Sequence, residues 1–182
     1  MWLLKEPYCD KENGGGGWSM TDGLLIRASG KKKDSSGTWH PIIYCSHGIL
    51  NNYMKFKEIP KIKNNSKVSL ILKQIAFVNV QKLPAKTTTS DKSLKKSYEE
   101  HKEILLKQIS IYRPDIIIGG GTLNMIKEDL EIKAENELEF GHFFKGKQLF
   151  INTRHPAQRK IKREEYINKV IARAESFKEI YN

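Results

Sequence analysis

Short apolar runs alternate along this chain with longer stretches whose apolar positions recur at helical spacing. Residues 2–5 are apolar and close at Pro7, the pattern of a buried strand that stops at a turn. Residues 75–80 are β-branched and aromatic and predict a second strand, residues 115–118 a third and residues 148–152 a fourth. Between the second and third runs, Leu94, Tyr98, Leu105 and Ile109 fall on one helical face, with Asp91 expected as cap and Pro114 as terminator. A helix is expected from about Thr122 to about Glu131. A last one covers residues 162–180, with Tyr166, Val170, Ile171, Ala174 and Phe177 inward and Arg163, Lys169 and Arg173 on the other side. Trp39, Ile42, Ile43, His47 and Leu50 predict one more helix, whereas residues 30–37, 55–66 and 83–90 read as loops. Strands alternating with helices predict an α/β protein, a three-layer αβα arrangement around a four-stranded, mainly parallel sheet.

The chain has 182 residues, which fits a single domain spanning 1–182 with a core of its own. Lys and Arg number 32 against 21 Asp and Glu, a net charge of +11, which makes nucleic acid the leading class of partner. No apolar run approaches the roughly 18–20 residues of a membrane span, so no membrane partner is expected. The first apolar run is too short for an export signal, and Cys9 and Cys45 are the only cysteines. A cytoplasmic, monomeric protein with free thiols is therefore expected. Two cysteines also exclude a four-cysteine zinc or iron–sulfur site within one chain.

In parallel α/β sheets ligands bind beyond the carboxyl ends of the strands, so the residues following each strand carry the functional information. The glycines at 14–17 lack the following Lys-Ser/Thr of a Walker loop. Those at 119–121 lack the basic residue of a nucleotide triphosphatase, so tight turning is the simpler account of both runs. The His-x-Glu and Pro-Cys-x-x-Cys signature of zinc deaminases is absent. Cys45 and His47 have weak metal-ligand spacing, and a small buried cysteine beside a satisfied histidine explains them better. No metal and no cofactor is expected.

Four strand ends, taken in order, carry a resemblance: Lys5-Glu6-Pro7-Tyr8, Asn79 after Ala76-Phe77-Val78, Ile118-Gly119, and His155-Pro156-Ala157. Together they resemble the uracil-DNA glycosylase superfamily. There the first strand ends in a Gly-Gln-Asp-Pro-Tyr type motif, the second in Asn, the third near Gly and the last in His-Pro-Ser. The match runs from the first residues to the final helix. Lys5 and Glu6 stand where the family has Gln and Asp, and Ala157 where it has Ser.

The resemblance implies a monofunctional DNA glycosylase of base-excision repair that removes uracil or a related damaged base. Such an enzyme flips the base into a pocket and breaks its N-glycosidic bond through an oxocarbenium-like sugar. The site then needs an anion near the sugar and donors near the base oxygen. Glu6 is the carboxylate and His155 the donor to the base oxygen. Asn79 presents amide and carbonyl to the base edge, Tyr8 walls the pocket, and Phe77 is either core or a stacking surface. Lys5 is expected to pair with Glu6 or with a phosphate. Arg154, Gln158, Arg159, Lys160 and Lys162, together with Arg163, would hold DNA, each cation neutralising a phosphate. Structural alternatives stand beside these roles: a surface Glu6, an Asn79 bonded to local backbone, a loop His155 and a solvated helix start. Two rival functions follow. One is a non-catalytic nucleic-acid-binding domain of the same fold, which Lys5 and Ala157 favour. The other is a nucleotide-binding enzyme acting on small molecules.

Overall fold

A computed structural model of the chain describes residues 1–7, 36–83, 90–138 and 141–181. The described residues fall into two compact units. One draws on Met1–Gly17 and Phe77–Thr153, the other on Trp18–Ala76 and Arg154–Asn182.

The first unit is α/β. Strands β1 (Trp2–Leu4), β2 (Phe77–Asn79), β3 (Ile116–Gly120), β4 (Glu137–Leu138), β5 (His142–Lys145) and β6 (Gln148–Thr153) form one sheet in the order β2-β1-β3-β6-β5-β4. β2, β1, β3 and β6 run parallel, with Leu4 beside Asn79, Leu3 beside Gly119 and Gly120 beside Thr153. These four are the runs that the apolar pattern predicts.

The sheet nevertheless differs from the four-stranded one expected, because β5 and β4 add an antiparallel edge beside β6 and make it mixed. That edge was hidden from the apolar pattern because its strands are short and carry Glu137, His142 and Lys145. Its one local signal is Gly146, at φ +56°, in a two-residue turn between the paired Lys145 and Gln148.

Helix α2 spans Asp91–Tyr112, and its buried residues are Leu94, Tyr98, Leu105 and Ile109, the face expected. The cap is Ser90 rather than Asp91: Ser90 Oγ accepts from the Ser93 amide at 3.1 Å. Asp91 occupies the first helical position, where a carboxylate complements the helix dipole. Arg113 ends the helix in the left-handed conformation, immediately before Pro114. Leu3, Val78, Ile117 and Phe150 pack with the α2 face in one core.

Helix α3 (Leu123–Ile126) is far shorter than the expected 122–131. Past it, one further i to i−4 bond, Leu130 N to Ile126 O, is followed by turn hydrogen bonds, Glu131 N to Glu128 O and Ile132 N to Lys127 O, with Glu131 at φ +54°. α3 sits hard against β3: a Cβ on Gly119 would meet Leu123 Cβ at 2.7 Å and Leu123 N at 2.9 Å. The glycines at 119–121 thus serve close approach and turning, with Gly121 at φ +77°.

The second unit contains helix α1 (Ser36–Leu50), a 3-10 helix at Ser66–Gln74 and helix α4 (Arg163–Tyr181). The 3-10 segment falls where the sequence pattern predicts no element. Asn65 caps it by accepting from Lys67 N, and Val68, Ile71 and Leu72 are buried. α1 and α4 meet at Gly48, whose added Cβ would lie 2.4 Å from Ile171 Cδ1 and 2.6 Å from the Met54 carbonyl. Asn168 Oδ1 accepts from Phe56 N at 2.9 Å, and Tyr44 OH accepts from Ile62 N at 3.0 Å. Tyr166, Val170, Ile171, Ala174 and Phe177 are buried along α4, as their spacing predicts. Among the described residues no helix is long and apolar enough to cross a membrane.

Candidate functional site

Glu6 and Asn79 follow from the parallel pairing of β1 and β2. Leu4 and Asn79 are register partners, and the ladder continues past them through Val80 N to Leu4 O at 2.9 Å and Gln81 N to Lys5 O at 2.8 Å. The carboxyl ends of the two strands are therefore neighbours, and both residues are half-buried there.

Side chains alternate along a strand. Leu3 and Val78 face the α2 core, so Phe77 and Asn79 lie on the opposite face. Lys5 shares the side of Leu3, and its Nζ pairs with Asp91 Oδ1 at 3.2 Å, in the first turn of α2. Lys5 is thus paired with Asp91 and not with Glu6, one of the two partners expected for it. Consecutive residues of an extended chain point apart, and Asp91 lies on the Lys5 side.

The Asn79 carboxamide makes no hydrogen bond to a described residue, so the alternative of an Asn spent on local backbone is not realised among them. Its main-chain carbonyl accepts from Lys82 Nζ at 2.8 Å, and the same amine donates to Gln108 Oε1 at 2.6 Å. Lys82 stands out only in the folded chain. It is half-buried, both acceptors are neutral, and desolvation lowers its pKa from 10.5 to about 8. Its surroundings are assembled by β2 and α2, so no local motif announces it.

His155 follows β6 by two residues and is half-buried. Its Nδ1 accepts from the Ala157 amide at 3.1 Å, which assigns the ring proton to Nε2 and leaves the neutral ring a donor at that nitrogen. Gln158 shapes the loop that follows. Its Oε1 accepts from Lys160 N at 2.8 Å and Ile161 N at 3.0 Å, and its Nε2 donates to Ile161 O at 3.1 Å. Arg154, Arg159, Lys160, Lys162 and Arg163 are exposed, and none forms an ion pair with a described residue.

A cavity of about 400 Å³ lies beside this loop, lined among others by Gly37, Ala157, Arg159, Arg163 and Tyr166. Nothing in the sequence marks it, because Gly37 and Arg159 are 122 positions apart (159 − 37) and are brought together only by packing within the second unit.

Glu6, Phe77 and Asn79 thus belong to the first unit, and the residues from Arg154 onward to the second. Tyr8, Cys9 and Asp10, the glycines at 14–17 and the lysines at 31–33 lie outside the described residues. Cys45 is fully buried on α1, and burial pushes its thiol pKa well up. Among the described residues no three His, Cys, Asp or Glu side chains group closely enough to hold a metal ion. Neither a scan of protein-family models nor a search of curated proteins finds a match to this chain.

Proposed function

We propose that the chain is a monofunctional DNA glycosylase of the uracil-DNA glycosylase superfamily type, hydrolysing the N-glycosidic bond of uracil or a related damaged base. The proposal includes the three-layer αβα organisation that the strand–helix alternation predicts, and a monomer acting on DNA in the cytoplasm without a cofactor. The observation that carries it is the register of β1 on β2, which sets a carboxylate and a carboxamide with no hydrogen bond to a described residue at neighbouring parallel strand ends. This is where α/β sheets bind ligands.

The chemistry assigns each group a task. As the bond from C1′ to the base nitrogen lengthens, positive charge grows on the sugar and negative charge on the base. The Glu6 carboxylate stabilises the first, and the His155 Nε2–H is the donor for the second. The Asn79 carboxamide reads donor and acceptor positions on the base edge, and Phe77 and Tyr8 bound the base by their rings. The exposed cations of residues 154–163 grip phosphates and return the roughly few kcal/mol that flipping costs.

One observation favours the rival reading of a non-catalytic nucleic-acid-binding domain. Lys5 occupies the family's Gln position, and its amine pairs with Asp91 at 3.2 Å. A gel assay on oligonucleotides carrying one uracil, one deaminated purine or one alkylated base decides between them. Cleavage of one of these supports the enzyme. Salt-sensitive DNA binding without cleavage of any gives the function to the binding module.

A further inference from the structure

The cavity beside residues 155–161 differs from an ordinary surface cleft in its charge. Arg159 and Arg163 both line it, and neither has a carboxylate partner among the described residues. The carboxylates next to Arg163 are already taken: Glu164 pairs with Lys57 at 3.3 Å and Glu165 with Lys169 at 2.7 Å. Arg163 is also the first residue of α4, where the helix dipole disfavours a cation, so helix stability does not account for it. Two cations on one concave surface make it a favourable place for an anion.

The space and its rigidity point the same way. Gly37 and Ala157 keep the walls small: a Cβ on Gly37 would lie 3.8 Å from Ala157 Cβ, so longer side chains at these positions would narrow the cleft. Gln158 locks the loop that carries Arg159 through its three hydrogen bonds, which lowers the ordering cost of binding. Tyr166 is buried, and its hydroxyl is fixed by donating to the Arg154 carbonyl at 2.9 Å.

We infer that this cavity binds a phosphate ester, gripped by the Arg159 and Arg163 guanidiniums. Planar guanidinium forks match phosphate oxygens in pairs. A volume of about 400 Å³ leaves room beyond the phosphate for an attached sugar. The ester comes from a nucleic-acid strand or from a free mononucleotide. The strand source rests on the nucleic-acid reading above, whereas the phosphate site itself does not.

His40 supplies a readout that needs no catalysis. Its pKa is lowered first by burial and then by the charge of Arg163. A phosphate bound at Arg163 offsets that charge, so the His40 pKa, followed by NMR titration of the full chain, should rise in inorganic phosphate relative to chloride at equal ionic strength. Arg159→Gln leaves Arg163 in place and should weaken the apparent phosphate affinity by about tenfold or more, the usual scale of a charged hydrogen bond. Competition then separates the sources. Displacement by an oligonucleotide without terminal phosphates identifies a strand, and displacement by thymidine 5′-monophosphate alone identifies a free nucleotide.

The inference is overturned if His40 ignores millimolar phosphate, if Arg159→Gln responds like the wild type, or if neither ester competes. A phosphate response without base excision keeps this site and removes the glycosylase. Excision without a phosphate response does the reverse.

Discussion

Lys82 carries a cation into a half-buried position whose two acceptors, the Asn79 carbonyl and Gln108 Oε1, are uncharged. Its folded pKa of about 8 lies below the 10.5 of a free lysine, so between these values the unfolded chain holds a proton that the folded chain has released. Stability therefore rises with pH through that window, and the full cost of the buried charge is present below about 8. Urea melts at pH 7 to 10 should show wild type gaining stability on Lys82→Met as pH rises, and a constant difference would refute the assignment. The proposed glycosylase reaction would turn on other single residues. Glu6→Gln should lower turnover while largely sparing DNA affinity, because the charge acts chiefly in the transition state. His155→Ala should cost roughly 10²–10³-fold, as other oxyanion donors do. Asn79→Ala should blur the choice of base in competition assays with mixed lesions. Lys5, Glu6, Asn79 and His155 were all legible in the sequence because each lies at or just past the end of an apolar run. The partner of Lys5 was not, since Asp91 is 86 positions away.

At the scale of elements, α2 was readable down to its buried positions, because one apolar face at helical spacing has to meet a core. The short α3 and the β5–β4 edge were not, because tertiary packing holds them rather than periodicity. The turn after α3 is tied to α2 by the Tyr98 hydroxyl, which donates to Asp129 Oδ2 at 2.5 Å. That bond is the main cause holding the Asp129 pKa below its ordinary value, so its contribution is present at neutral pH and fades as acid protonates the carboxylate. Tyr98→Phe should cost about 1 kcal/mol in denaturant melts at pH 7, with the difference shrinking in acid. The packing of α1 on α4 depends on the missing side chain of Gly48. Its neighbours are a buried isoleucine and a main-chain carbonyl, and the carbonyl cannot swing aside. Gly48→Ala should therefore destabilise the chain by about 1–3 kcal/mol, the usual cost of overpacking, despite the helix propensity that alanine adds.

For the whole molecule, the excess of +11 matters through its distribution. Some surface lysines are paired, as in Lys55–Glu175, Lys57–Glu164 and Lys145–Glu131, while the cations of residues 154–163 have no carboxylate partner among the described residues. DNA affinity should accordingly fall steeply with salt. Replacing Arg159 and Lys160 together by Ala should flatten the log–log slope by about 2, since each phosphate that is no longer neutralised removes about 0.9. Affinity that ignored salt in the wild type would remove any phosphate-tracking surface.

Residue order alone determined the α/β class, the four parallel strands and which positions follow their ends. Apolar runs and helical periods are local signals, and burying them leaves few arrangements open. Only the tertiary structure decided which side chains share a neighbourhood. Leu4 met Asn79 because β2 chose β1 as its partner, and Lys5 turned to α2 because a strand alternates its faces. Gly37 and Arg159 came to line one cavity because α1 and the start of α4 pack together. Such proximity depends on long-range packing, which no window of neighbouring residues records.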